Sequence, residues 1–82
     1  MYSIEFSATA EKQFGKLEAV IQERILAVLE RIRVRPLDFV KRLSGTSYYR
    51  VRVGDYRVIV DAKEMEQCIF VIEMGHRKNI YK

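Results

Sequence analysis

Tyr2, Ile4 and Phe6 alternate with Ser3 and Glu5, a period of two that predicts an opening strand with one buried face. The period then lengthens. Ser7 or Thr9 can cap a helix beginning near Ala8, with Ala10, Phe14 and Leu17 as its short apolar stripe. Gly15 weakens that helix, so a break is expected around residues 15–19. Ile21, Ile25, Val28, Leu29 and Ile32 then recur at helical spacing with charges between them. This second helix should stop before Arg35-Pro36, because proline disfavours a helical residue ahead of it and lacks an N–H. Two helices joined so tightly form an antiparallel pair, and their common stripe needs a partner.

The second half of the chain supplies it. Leu37 to Ser47 reads as a connection, with Phe39, Val40 and Leu43 as anchors. Tyr48 to Val60 then reads YYRVRVGDYRVIV, two β-rich runs joined by Gly54-Asp55, a two-residue hairpin signal because glycine supplies the positive φ of a tight turn. Counting outward gives the pairs Val53–Tyr56, Arg52–Arg57, Val51–Val58, Arg50–Ile59 and Tyr49–Val60. Alternation sends Tyr49, Val51, Val53, Tyr56, Val58 and Val60 to a core face. Tyr48, Arg50, Arg52, Arg57, Ile59 and Asp61 go to the other. A polar turn at Ala62 to Glu66 leads into an apolar strand from about Gln67 to Met74, which Gly75 interrupts. Strict parity there puts Ile69, Val71, Glu73 and Arg77 on one side and Phe70, Ile72 and Met74 on the other; with the latter set facing the helices, Glu73 and Arg77 join the arginines.

The order βααβββ predicts an α+β layer pair: an N-terminal strand and an antiparallel helical hairpin on one face of a mainly antiparallel four-stranded sheet. A short C-terminal turn of helix would bring Tyr81 back over the open face. At 82 residues with 49% hydrophobic content, one domain spanning residues 1–82 is expected. No apolar run approaches a membrane span, and the start MYSIEFSATAEK lacks a signal peptide's basic and apolar regions, so a cytoplasmic location and no membrane partner are expected. Cys68 lies in the apolar run Cys68-Ile69-Phe70-Val71-Ile72 and reads as a buried small hydrophobe. One cysteine and one histidine offer no metal site, and no cofactor is expected.

Charge changes the picture more than composition does. Net charge is +4, yet residues 31–57 alone hold eight cations (Arg31, Arg33, Arg35, Lys41, Arg42, Arg50, Arg52, Arg57) against Asp38 and Asp55, a net of +6. Such a local excess suits a polyanion, although a solvated surface explains any single member. The cross-strand pair Arg52–Arg57 is the sharper signal, since like charges directly opposite destabilise a sheet. At roughly 5.5 Å the bare repulsion is about 0.7 kcal/mol in water and about 3 kcal/mol at an effective dielectric near 20. An anion bound between them removes the penalty, and forked guanidiniums fit phosphate. The alternative is three long side chains splayed into screening solvent. Tyrosine rings at the edge, Tyr48 and Tyr81, can stack on bases as in single-stranded RNA recognition.

From Tyr2-Ser3-Ile4-Glu5-Phe6-Ser7 through the helical pair ending at Arg35-Pro36, and again in Leu43-Ser44-Gly45, Tyr49-Arg50-Val51-Arg52-Val53-Gly54-Asp55-Tyr56-Arg57-Val58-Ile59 and Gly75-His76-Arg77-Lys78-Asn79-Ile80-Tyr81, the chain resembles the RelE/ParE superfamily of toxins from toxin–antitoxin pairs, and the RelE branch in particular. The resemblance implies an endoribonuclease, an mRNA interferase that enters the ribosomal A site, cuts the messenger by 2′-hydroxyl attack on the scissile phosphate, and so inhibits translation. It also implies a RelB-like antitoxin as partner, with ribosomal RNA and mRNA as the others. Arg57 then matches the arginine that stabilises charge on the scissile phosphate, Arg77 a second phosphate-binding arginine, and Tyr81 a tyrosine that stacks on or orients the substrate.

Arg50 and Arg52 stand where some relatives of that branch carry lysines. Arginine does not surrender its proton in a crowded cationic site, so these two can neutralise phosphate but not act as bases. Tyr81, His76 or Glu73 is left for that role; histidine has the convenient ordinary range. Arg31, Arg33, Arg35, Lys41, Arg42, Tyr48 and Lys78 would contact RNA. Two other readings fit the same scaffold: a ParE-like inhibitor of DNA gyrase, and a degenerate toxin retained as an antitoxin-binding subunit.

Overall fold

A computed structural model describes residues 1–34, 41–42 (backbone only) and 48–76. Strand β1 (Ser3–Phe6) runs into helix α1 (Ala8–Gly15), and α2 (Ala19–Val34) follows after three residues. Strands β2 (Lys41–Arg42), β3 (Tyr49–Val53), β4 (Tyr56–Lys63) and β5 (Cys68–His76) complete the order. The α+β architecture expected from the pattern is the one observed, and α2 ends at Val34, just ahead of Arg35-Pro36. The two-residue strand β2 is an addition to the four expected strands; Lys41-Arg42 has no apolar alternation to announce it. Phe39, Val40 and Leu43, and the C-terminal turn of helix carrying Tyr81, lie outside the described residues.

The sheet order is β1-β5-β4-β3-β2, with β1 parallel to β5 and the other neighbours antiparallel. Between β3 and β4 the register is the one the turn dictates: Val53 faces Tyr56, Arg52 faces Arg57 and Arg50 faces Ile59. Gly54 has φ +59, which only glycine adopts without strain, so the turn and the register are one constraint.

Strand β5 departs from strict alternation. Ile59 pairs with Glu73 but Val60 pairs with Val71, so Ile72 is an extra residue on β5. The bulge reverses parity midway: Ile69, Val71 and Met74 all enter the core, where simple alternation grouped Phe70, Ile72 and Met74. Gly75 also stays within β5 rather than interrupting it.

Ser7 anchors the bulge. Its N–H donates to the Val71 carbonyl at 2.8 Å, and its hydroxyl donates to the Ile72 carbonyl at 2.6 Å. The same oxygen accepts from Ala10 N at 3.0 Å, capping α1. Beyond Phe6 strand β1 no longer borders β5, and there Gln13 stands in for it: its Oε1 accepts the Met74 N–H at 2.6 Å. A side chain thus satisfies an edge donor that a strand would otherwise pair.

The core lies between the helices and one sheet face. Ile25, Leu29 and Ile32, one stripe of α2, meet Val51, Val53, Val58, Val60, Ile69, Val71 and Met74, with Ala10 of α1 alongside. Each large aliphatic side chain removed from water there contributes about 1.5–3 kcal/mol. Because valines and arginines alternate along β3, building this core commits Arg50 and Arg52 to the opposite face.

Replacing Ser7 by alanine removes the cap and strips the bulge of a donor. Urea titration should show Ser7→Ala losing about 2 kcal/mol; a loss under about 0.5 kcal/mol would mean that the bulge holds without it.

Candidate functional site

On the face away from the helices, two rows cross the strands. One is Arg50, Ile59, Glu73; the next, toward the Gly54 turn, is Arg52, Arg57, Gly75. Their environments differ. Arg52 is exposed and Arg50 is half-buried, whereas Arg57 is 7% exposed with its Nε fully enclosed, and neighbouring Ile59 is 6% exposed. A charge withdrawn from water in this way exerts a stronger field on whatever approaches it. Tyr48 stands exposed at the start of β3.

The opposite end of the same face has another character. Asp61 pairs with Phe70, and the Lys63 ammonium lies 5.1 Å from the Phe70 ring centroid. The Cys68 thiol donates to Glu5 Oε2 at 3.2 Å. Burial, followed by that carboxylate, pushes the Cys68 thiol up, so it is a poor nucleophile. Arginines therefore collect at the turn end of the face, whereas Lys63 is found with Asp61 and Glu5 at the other end.

Other residues suggested by the sequence fall elsewhere. His76 pairs with Tyr56 in the helix-side register, their rings edge-to-face at 5.4 Å, so the sheet separates its imidazole from Arg57. A catalytic His76 beside Arg57 does not fit this placement, because residues 75 and 76 of a pleated strand face opposite ways. Glu73 does share the arginine face, brought there by the bulge.

Arg31 and Arg33 lie on α2, across the sheet from the arginine rows. Arg33 is engaged in structure: its Nε donates to the Tyr2 carbonyl at 2.9 Å, and its Nη1 pairs with Glu30 at 3.0 Å. Among the described residues, the cations of the 31–57 run are thus divided between α2 and the far face of the sheet. Lys41 is the register partner of Arg50, and Arg42 that of Tyr49. Arg35, Arg77, Lys78 and Tyr81 lie outside the described residues.

Arg24 went unnoticed in the sequence. Its guanidinium lies 3.7 Å from where a Cβ on Gly54 would sit, placing a further cation at the hairpin turn. Nothing in the strand periodicity points to it, since it reaches the turn from the helical layer.

Among the described residues no cluster of His, Cys, Asp or Glu is disposed to hold a metal ion, and no helix is long and apolar enough to cross a membrane. What the face offers is electrostatic: an exposed and a half-buried guanidinium beside one that is almost wholly withdrawn from water.

The layered sheet and its basic face define a small α+β domain. Its fold matches that of the toxin in the intact E. coli RelBE toxin–antitoxin complex, with TM-score 0.85 at 23% identity over 93% of this chain and 96% of that one. The archaeal RelE–RelB complex from Pyrococcus horikoshii OT3 gives TM-score 0.82 at 26% identity, covering 95% and 97%. The RelB–RelE complex from Methanococcus jannaschii gives 0.76 at 28%, covering 94% of each chain. No curated protein matches the chain in sequence. The chain belongs to the ParE toxin family of type II toxin–antitoxin systems, whose family pattern matches residues 4–81, within the RelE/ParE superfamily.

Two measurements check the electrostatics. Arg52→Gln should stabilise the fold by up to about 0.7 kcal/mol in low salt, and the gain should vanish near 0.5 M sodium chloride; a salt-independent loss would show that no repulsion is relieved. For Cys68, a folded thiol pushed up contributes stability that is complete below its unfolded range and is lost as pH rises toward the folded value. Denaturant titrations from pH 7 to 10 should therefore show an alkaline decline that Cys68→Ala reduces, and equal declines would contradict it.

Proposed function

We propose that this toxin is a ribosome-dependent mRNA endoribonuclease acting in the A site. The observation that carries the reading is the buried Arg57 opposite Arg52, with Arg50 in the adjacent row, on the face the helices leave uncovered. In the proposed reaction the messenger's own 2′-oxygen attacks the adjacent phosphorus and the P–O5′ bond breaks in line, leaving a 2′,3′-cyclic phosphate and a 5′-oxygen that takes a proton from solvent water to become the 5′-hydroxyl. Charge builds on the non-bridging oxygens of the phosphorane. Preorganised cations stabilise it, and removing one such group typically costs about 3–4 kcal/mol of barrier, or a factor of about 10²–10³.

Arg57 is the principal stabiliser in this scheme. Arg50 and Arg52 neutralise flanking phosphates, and Arg77 and Tyr81 are assigned by resemblance to a second phosphate contact and to substrate orientation. The 2′-proton goes to Glu73 or Tyr81, because His76 faces the helix side. Arg31, Lys41, Arg42 and Arg24 supply phosphate contacts to ribosomal RNA. A RelB-like antitoxin is the proposed partner, since an exposed cationic face is complementary to an acidic or amphipathic segment; the solved relatives bear such partners in their complexes.

The match to the ParE family, together with the resemblance, supports a second reading, inhibition of DNA gyrase by binding without RNA chemistry. Mapping messenger 3′ ends in a translating extract separates the two. Wild type should produce new ends within codons, and Arg57→Ala should reduce them by about a hundredfold or more. Equal cleavage by both proteins, or no cleavage by wild type together with inhibited supercoiling by purified gyrase, would overturn the proposal.

A further inference from the structure

Val71 and Glu73 stand two apart on β5, and simple alternation would give them one face. Val71 is wholly buried in the core, so it would take Glu73 in with it. The extra residue Ile72 puts Glu73 opposite, on the face of Arg50, Arg52 and Arg57. There it pairs with Ile59 and lies diagonal to Arg57, a separation of about 7–8 Å between the backbones of paired strands. Whatever holds the bulge therefore decides which face the carboxylate takes.

Two residues of one helix hold it. Ahead of Glu73, the Ser7 hydroxyl donates to the Ile72 carbonyl at 2.6 Å and the Ser7 N–H to the Val71 carbonyl at 2.8 Å. Behind it, Gln13 Oε1 accepts the Met74 N–H at 2.6 Å. Ser7 caps α1 and Gln13 lies within it, so the helix itself spaces the two anchors, at roughly 9 Å along its axis. That helix is fixed in turn: Gln22 of α2 donates to the Phe14 carbonyl at 2.8 Å, and the Phe14 ring meets Phe6 edge-to-face at 5.5 Å. The pairing of β1 with β5 ends at Phe6–Val71, and from there α1 splints the stretch that carries Glu73.

We propose that Ser7 and Gln13 are positioning residues that keep the Glu73 carboxylate on the arginine face, and that Glu73, rather than Tyr81, takes the 2′-proton. The inference deepens the endoribonuclease reading and rests on it. As the 2′-oxygen attacks phosphorus its proton passes to the carboxylate, and the resulting carboxylic acid gives that proton to solvent water after the product leaves. A base works only within hydrogen-bond reach of the proton it removes. Misplacement by about 1 Å can cost a factor of about a hundred, which is why anchors on both sides of the residue matter.

Gln13 makes the cleaner test, since Ser7 also caps α1. Single-turnover cleavage on programmed ribosomes gives a saturated rate and a half-saturating concentration for the full chain. Gln13→Leu should slow the saturated rate about tenfold and leave the half-saturating concentration within about twofold. Gln13→Glu keeps an acceptor oxygen for Met74 and should restore the rate to within about threefold. Glu73→Gln should slow it about a hundredfold. Adding Gln13→Leu to that variant should then cost less than about twofold more, because both changes remove one contribution. Losses that multiply, or wild-type rates from Glu73→Gln, would overturn the proposal.

A second readout is independent of cleavage. Hydrogen exchange of the Met74 amide should quicken at least about tenfold in Gln13→Leu and slow again in Gln13→Glu; unchanged exchange would overturn the splint. A wild type that cuts no messenger while Met74 exchange responds in this way would overturn the enzymatic reading, and Glu73 as proton acceptor with it, but leave the splint standing.

Discussion

The structure depends on the register of one hairpin. With Gly54 at positive φ, Val53 must face Tyr56, and every pair outward along β3 and β4 is then set. Because the pleat has a period of two, the choice that sends Val51, Val53, Val58 and Val60 under the helices sends Arg50, Arg52, Arg57 and Ile59 to the other side. A slip of one residue would put guanidiniums in the core and valines in solvent. Hydrophobic burial therefore enforces a crowding of cations that local electrostatics alone would resist.

That coupling explains how so small a domain can hold a repulsive site. The core contributes several large aliphatic side chains at about 1.5–3 kcal/mol each, while the Arg52–Arg57 repulsion, with Arg52 exposed to water, costs about 0.7 kcal/mol. The fold tolerates the pair, and a bound polyanion would recover the cost. The second device is the bulge at Ile72. By inserting one residue it keeps Met74 in the core while turning Glu73 to the arginine face, so the end of β5 serves both layers. Ser7 joins this device to the first helix, which links the geometry of the site to the capping of α1.

Much of this was legible in the sequence because short-range rules govern it. The Gly-Asp turn, the alternation in Tyr49–Val60, the cap at Ser7 and the stop before Pro36 each act over a few residues. The bulge was not legible, since Ile72 reads as one more apolar position and only pairing with β4 shows it to be extra. Nor was the division of the cations: Arg33 and Arg57 belong to one run of charge in the chain, yet α2 and the sheet put them on opposite sides. Arg24 escaped notice for the converse reason, being distant in sequence from the turn it reaches. His76 was suggested by its ordinary titration range, which carries no information on the face it takes; its pairing with Tyr56 puts it on the helix side.

The central claim is that Arg50, Arg52 and Arg57 act as one phosphate-binding group on the face away from the helices. The direct measurement follows their guanidinium Nε–H signals while a short RNA lacking the attacking 2′-hydroxyl is added. The three signals should shift together and saturate with a single dissociation constant that weakens as salt rises. Shifts confined to the helical residues, with these three unmoved, would contradict the account.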